Sequence, residues 1–271
     1  MSAGFLDAMA VESRRRVGEA RRRISYDSLD LRARQTATPP ALRLDRRFDV
    51  IAEIKLRSPA ADGEARSSDD LPARAAAYAA GGAAAVSVLT EPSRFAGSIL
   101  HLESAARTLH PLRLPAMRKD FLVDPYQLVE ARAAGAGGAL LILRLLAPAE
   151  LESLVAVGRS LELFLLLEAF DETDLAAART LIDARGPEGL LVGVNSRDLT
   201  TLQVRPERLL ELAPHLPQAV PCVAESGIAS AEDAGAIVRA GYRVALVGTA
   251  LMRSADPGAL VRELVDAGRA A

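Results

Sequence analysis

Eight short apolar runs recur along the chain at a steady interval, and amphipathic segments rich in Ala and Leu lie between them. The runs are FDVIAEI (48–54), AAAVSVL (83–89), LPAMRK (114–119), GALLIL (138–143), LELFLLLE (161–168), GLLVGVN (189–195), VPCVAES (220–226) and RVALVG (243–248). Among the segments between them are DDLPARAAAYAAGG (69–82), DPYQLVEARAAGAGG (124–138) and DETDLAAARTLIDARG (171–186). Short runs of this kind suit parallel strands, which helical crossovers cover on both faces. Strand and helix alternating about eight times predicts an α/β chain closed into a (β/α)8 barrel, a TIM barrel. A doubly wound open sheet is the rival, but its first turn is Gly-rich, and here that turn reads KLRSPAADGEA without G-x-G-x-x-G. Helix starts are marked by Asp124 before Pro125 and by Asp171 with Asp174; Gly81, Gly135, Gly186 and Gly241 mark helix ends. Residues 1–45 hold two helical patterns and read as an N-terminal extension packed on a barrel of residues 46–271, with Pro39 and Pro40 at the break. No linker divides the rest, so the whole is one domain.

Charge and composition narrow the partners. Lys and Arg number 33 against 35 Asp and Glu, a balance that argues against broad nucleic-acid affinity. The dense basic cluster SRRRVGEARRR (13–23) is interrupted at helical spacing and reads as a solvated helix face. No stretch is apolar for the ~20 residues a membrane span needs, and the start lacks a secretory hydrophobic region, so a cytoplasmic protein without a membrane partner is expected. Cys222 is the only cysteine, which excludes an internal disulfide and a Cys-based zinc site; within AVPCVAE it reads as a small buried hydrophobe.

In such a barrel the carboxyl ends of the strands form the reactive face. Those ends carry Glu53 and Lys55, Lys119 with Phe121 two places on, Glu168, Asn195, Ser226-Gly227 and Gly248-Thr249. Glu53 and Lys55 alternate onto one face of a strand that is otherwise apolar, so they need a partner or a job. Taken singly, each of these residues suits an ordinary strand end. Two lysines, two glutamates and an asparagine at one mouth read as a site. Small residues after the seventh and eighth strands let backbone N–H groups approach an anion, and Lys55 supplies countercharge for a phosphate. His101, His110 and His215 fall away from strand ends, so neither a metal site nor a Ser-His nucleophile is supported. Cofactor-free acid–base chemistry by Lys and Glu is what this inventory permits.

The segments AEIKLRSP, SVLTEPSRFAGS, MRKDFLVDPYQLVEARAAGA, LLLEAFDETDL, GVNSRDLTTLQV, AESGI and ALVGTALM, in that order, resemble indole-3-glycerol phosphate synthase of tryptophan biosynthesis. The resemblance runs from about residue 48 to the end and extends to the helical N-terminus. It implies an enzyme that converts 1-(2-carboxyphenylamino)-1-deoxyribulose 5-phosphate to indole-3-glycerol phosphate with loss of CO2 and water. By position, Lys119 resembles the general acid of ring closure and Glu168 the acid–base carboxylate of the dehydration. Glu53 and Lys55 match a first-strand pair beside the substrate, Lys55 also reaching toward its phosphate. Asn195, Ser226, Arg197 and, in the first loop, Ser58 fall on substrate-binding positions, and Phe121 on one that packs against the aromatic ring. Gly227, Gly248 and Thr249 fall on phosphate-binding turns. The acid–base assignment among Glu53, Lys55 and Glu168 stays open. The resemblance further implies no cofactor and a monomer. Departures are Ala169-Phe170 where Val-His is usual, a longer first loop SPAADG, Ala96 for a common Gly, and Ser196 for Asn or Ala. They motivate an alternative reading, a paralogue acting on a modified substrate; a third is a non-catalytic phosphate-binding barrel.

Overall fold

The computed structural model describes residues 4–45, 47–57, 70–198, 201 and 203–271. Two helices, α1 (Phe5–Arg23) and α2 (Tyr26–Gln35), precede the first strand. The strands follow as β1 (Asp49–Ile54), β2 (Ala85–Leu89), β3 (Ala116–Lys119), β4 (Gly138–Ile142), β5 (Phe164–Ala169), β6 (Leu190–Asn195), β7 (Cys222–Glu225) and β8 (Val244–Val247). All neighbours pair in parallel and β8 closes on β1, so the sheet is a barrel ringed by helices, as the alternation of the sequence predicts. Every strand residue is buried except Lys119, which is half-buried, because helices cover the outside and side chains fill the inside.

The helix starts follow the sequence signals. Asp124 accepts from the Tyr126 amide and Asp171 from the Asp174 amide, satisfying donors that a first turn leaves free. Gly135, Gly186 and Gly241 have positive φ as expected, but Gly81 does not; the left-handed residue there is Gly82. Gly81 is needed for space instead, because a Cβ would collide with the Gly258 carbonyl.

The basic cluster is not wholly solvated, contrary to its pattern. Arg16 leaves the exposed face of α1 and forks onto Asp120 at 2.8 and 3.0 Å, while Ser13 is buried and donates to the Phe121 carbonyl. These bonds, with Gln127 donating to Ser13 at 2.9 Å, fasten α1 to the segment that follows β3. Such contacts lie far apart in sequence, so no local pattern announces them. Cys222 is buried as expected, and burial pushes its thiol up to about 12.

Candidate active site

Registers between the strands decide which residues share a level inside the barrel. Glu53 pairs with Ser87 and Ser87 with Met117; Leu140 pairs with Leu166, and Glu168 with Gly193. Strands in a closed barrel tilt, so each step across two strands climbs about two residues along the register. That rule puts Glu53, Lys119, Glu168 and Glu225 in one layer, contributed by β1, β3, β5 and β7. Leu89, Ile142, Asn195 and Gly248 make the layer above, and Ser87, Leu140, Gly193 and Leu246 the layer below. All four residues of the ionic layer line a cavity of about 370 Å³ at the carboxyl ends of the strands.

The Lys119 ammonium donates to Glu168 Oε1 at 3.0 Å and to Glu225 Oε2 at 3.2 Å. Burial alone would favour its neutral amine, but Glu168, Glu225 and Glu53 outweigh that and hold its pKa above the usual lysine value. Glu53 lies 2.9 Å from Lys55. Burial opposes its charge too, yet Lys55 and Lys119 keep its pKa below the ordinary carboxyl range. Glu225 goes the other way: burial, with Glu168 adding to it, raises its pKa well above the usual value despite Lys119. Within one layer, then, Glu53 and Glu225 are driven in opposite directions around a shared ammonium.

Asn195 fixes this layer from above. Its Nδ2 donates to Glu168 Oε1 at 3.0 Å, while its Oδ1 accepts from the Arg197 amide and the Ser226 hydroxyl, each at 2.9 Å. Both ends of the amide are therefore committed, which sets its orientation. Ser226 has φ of +67°, a conformation that non-glycine residues adopt at a cost, and its hydroxyl bond to Asn195 offsets that cost. Ser196, one of the departures, is buried and donates to the Ser226 carbonyl at 3.0 Å, tying the turn after β7 to the end of β6.

Every candidate residue named from the sequence that falls among the described residues lines this cavity: Glu53, Lys55, Lys119, Phe121, Glu168, Asn195, Arg197, Ser226, Gly227, Gly248 and Thr249. Ser58, with the rest of the first loop, lies outside the described residues. Gly248 has a further reason to be glycine, since a Cβ there would overlap the Glu53 carboxylate and crowd Lys55. Phe121 joins Phe5 of α1, edge-on at 5.9 Å between ring centres, and Phe95 at 6.3 Å to form an aromatic wall. Phe170, another departure, is not on this cavity's wall; it is buried just past the end of β5, where it lines a neighbouring cavity with residues of α1, and the Arg144 guanidinium lies 4.7 Å over its ring.

Sequence reasoning missed Glu225, Asp120 and Phe5. Glu225 had a signal, a carboxylate in the apolar run VPCVAES two positions after Val223 and so on its inward face. Asp120 lies beside the cavity with Thr90 and Arg16 as partners, and Phe5 reaches the cavity only because α1 folds back over the mouth. Among the described residues no group of three or more His, Cys, Asp and Glu has the geometry to hold a metal, and no helix is long and apolar enough to cross a membrane.

The family model described as indole-3-glycerol phosphate synthase matches residues 6–264. Indole-3-glycerol phosphate synthase of Acidithiobacillus ferrooxidans is 44% identical over 234 residues, covering 86% of this chain and 82% of the relative. That of Carboxydothermus hydrogenoformans is 38% identical over 272 residues, covering 96% and 99%. Among solved structures, 3-hexulose-6-phosphate synthase from Salmonella typhimurium superimposes with a TM-score of 0.62 at 12% identity, covering 81% of this chain and 98% of that one. A likeness at that identity speaks for the barrel alone.

Proposed function

The chain belongs to the indole-3-glycerol phosphate synthase family, and on that footing we propose how its barrel mouth divides the chemistry. The enzyme is a carboxy-lyase of tryptophan biosynthesis that closes the indole ring of a 2-carboxyphenylamino deoxyribulose phosphate. In the first step the ring carbon bearing the carboxylate attacks the ketone. The ketone oxygen gathers negative charge, and a proton delivered there lowers the barrier. Lys119 is the donor in our reading, because it is a cation aimed into the cavity from the centre of the ionic layer. Loss of CO2 then returns the bonding electrons to the ring. The final step removes a ring-carbon proton and a hydroxyl as water, for which Glu168 is the acid–base group.

Glu53 and Lys55 work as a pair beside the substrate, and the geometry favours Glu53 as a fixed anion because two lysines hold it ionised. Phe121 and its aromatic neighbours take the phenyl ring, Asn195, Arg197 and Ser226 orient the chain between ring and phosphate, and Ser58 completes the substrate contacts from the first loop. The phosphate seats on the turns at Gly227 and Gly248-Thr249, with Lys55 as countercharge. We read the protein as a cytoplasmic monomer with no nucleic-acid or membrane partner; balanced charge and the family support that reading.

The observation that carries the proposal is the single level shared by Lys119 and three carboxyls over one cavity. Turnover of the carboxyphenylamino substrate, followed by indole fluorescence, tests it. Lys119→Met and Glu168→Gln should each lower kcat by about 10²- to 10⁴-fold, the range for loss of a general acid or base. A folded wild-type sample without turnover, or a Lys119→Met variant with unchanged kcat, defeats the assignment.

A further inference from the structure

Arg253 lines the cavity, yet it has no part in the chemistry described so far. It ends the short helix Thr249–Arg253, which begins directly after β8. Four positions separate it from Thr249, so the two side chains share one face of the helix. Long side chains on helices lean back toward the helix start, which directs the Arg253 guanidinium toward the Gly248-Thr249 turn. Gly227, Ile228 and Ala229, from the turn after β7, line the same part of the cavity wall.

The other cations of the mouth are engaged. Lys55 lies against Glu53 at 2.9 Å, Lys119 is held between Glu168 and Glu225, and Arg197 feels the Glu53 charge. Arg253, by contrast, makes no hydrogen bond or ion pair with any described residue, and its side chain is exposed. An exposed arginine without a partner is ordinary on a protein surface. One that edges a reactive cavity beside two small-residue turns is positioned for an anion from outside. The substrate class brings such an anion in its phosphate, which carries more charge than Lys55, shared with Glu53, balances alone.

We propose that Arg253 is a phosphate-recognition residue, whose guanidinium closes on the substrate's phosphate as that group seats on the turns after β7 and β8. The proposal rests on the sugar-phosphate reading above. Guanidinium and phosphate match in geometry and charge, and the planar fork holds two oxygens at once. The contact lies at the non-reacting end of the substrate and is made equally before and during the reaction, so it acts on KM and not on kcat.

The test compares wild type, Arg253→Gln and Arg253→Lys by steady-state fluorescence, and by calorimetric titration with inorganic phosphate at several salt concentrations. The expected result for Arg253→Gln is a KM raised about tenfold, kcat changed far less, and phosphate affinity weakened by a similar factor. Its log Kd should depend less steeply on log salt, and Arg253→Lys should recover part of the affinity. The melting temperature should stay put, which separates lost recognition from damaged folding. Unchanged KM and phosphate affinity in Arg253→Gln overturn the proposal. So does a fall in kcat at constant KM, or a wild type that binds no phosphate. Wild type without turnover that still binds phosphate through Arg253 strikes the assigned reaction and leaves this contact standing.

Discussion

Glu225 concentrates the residue-scale physics of this protein. Its folded pKa is raised by burial and by Glu168, so the folded chain keeps a proton that the unfolded chain releases near the ordinary glutamate value of 4.5. Folding then takes up a proton, and stability falls as pH climbs from that value to the folded one. Glu53 runs the opposite way, its lowered pKa giving stability that is lost as pH falls below the ordinary range. Glu225→Gln removes the first dependence, because an amide has no proton to lose. We expect the variant to melt above wild type at pH 8, with the gap closing toward pH 4, as thermal unfolding followed by circular dichroism across that range would reveal. A gap of constant size would mean that Glu225 is ionised in the fold. The sequence pattern ends the seventh run at Ser226-Gly227 and draws attention to the small residues of that turn, whereas Glu53 is read by the face it points from. The same parity argument applied to Val223 and Glu225 exposes it.

Among the elements, the segment between β2 and the next long helix holds an unusual joint. Ala96 ends the four-residue helix Pro92–Phe95 with φ of +53°, in the left-handed region where a Cβ is crowded. Glycine tolerates this conformation, so Ala96→Gly should relieve the crowding at a smaller entropic cost in the unfolded chain. A gain of about 1 kcal/mol is expected, or roughly 2–4 °C in melting temperature, with Phe95 still at the cavity wall. A lower melting point would show that this turn carries no strain. At this scale much was readable. Strand candidates overlapped all eight observed strands, because buried parallel strands must be apolar throughout, and the Asp–Pro and Asp-x-x-Asp starts held because first-turn amides need acceptors. What failed was Arg16, read as part of a solvated face. Its partner, Asp120, belongs to another element, and periodicity records only what a helix does to itself.

For the whole molecule, the two ends of the barrel do different work. At the end opposite the cavity, Arg269 donates to the Phe48 carbonyl at 3.0 Å and to Asp49 at 2.8 Å, bolting the last helix to the start of β1. Asp49 is buried, and burial raises its pKa despite the Arg269 partner. Arg269→Gln strips that carboxylate of its countercharge and should cost about 1–3 kcal/mol, discounted because Arg269 is partly in solvent. Melting should drop by several degrees while kcat/KM holds, the reverse of the pattern for Lys119→Met. A change in kcat/KM would mean that the two ends are coupled. Sequence made this polarity legible, since reactive groups clustered at carboxyl strand ends. It hid the vertical level at which they meet, because register and tilt emerge only when β8 joins β1.

That level has a bearing on how the chain is born. Its four members enter from alternate staves of the cylinder, and the last is supplied by β7. A nascent polypeptide emerging N-terminus first exposes Lys119 long before two of its anionic partners, Glu168 and Glu225, have been synthesised, so a half-made product lacks the assembled layer. Recovery of turnover during refolding is accordingly a gauge of circumferential completion, and compaction alone would leave it silent.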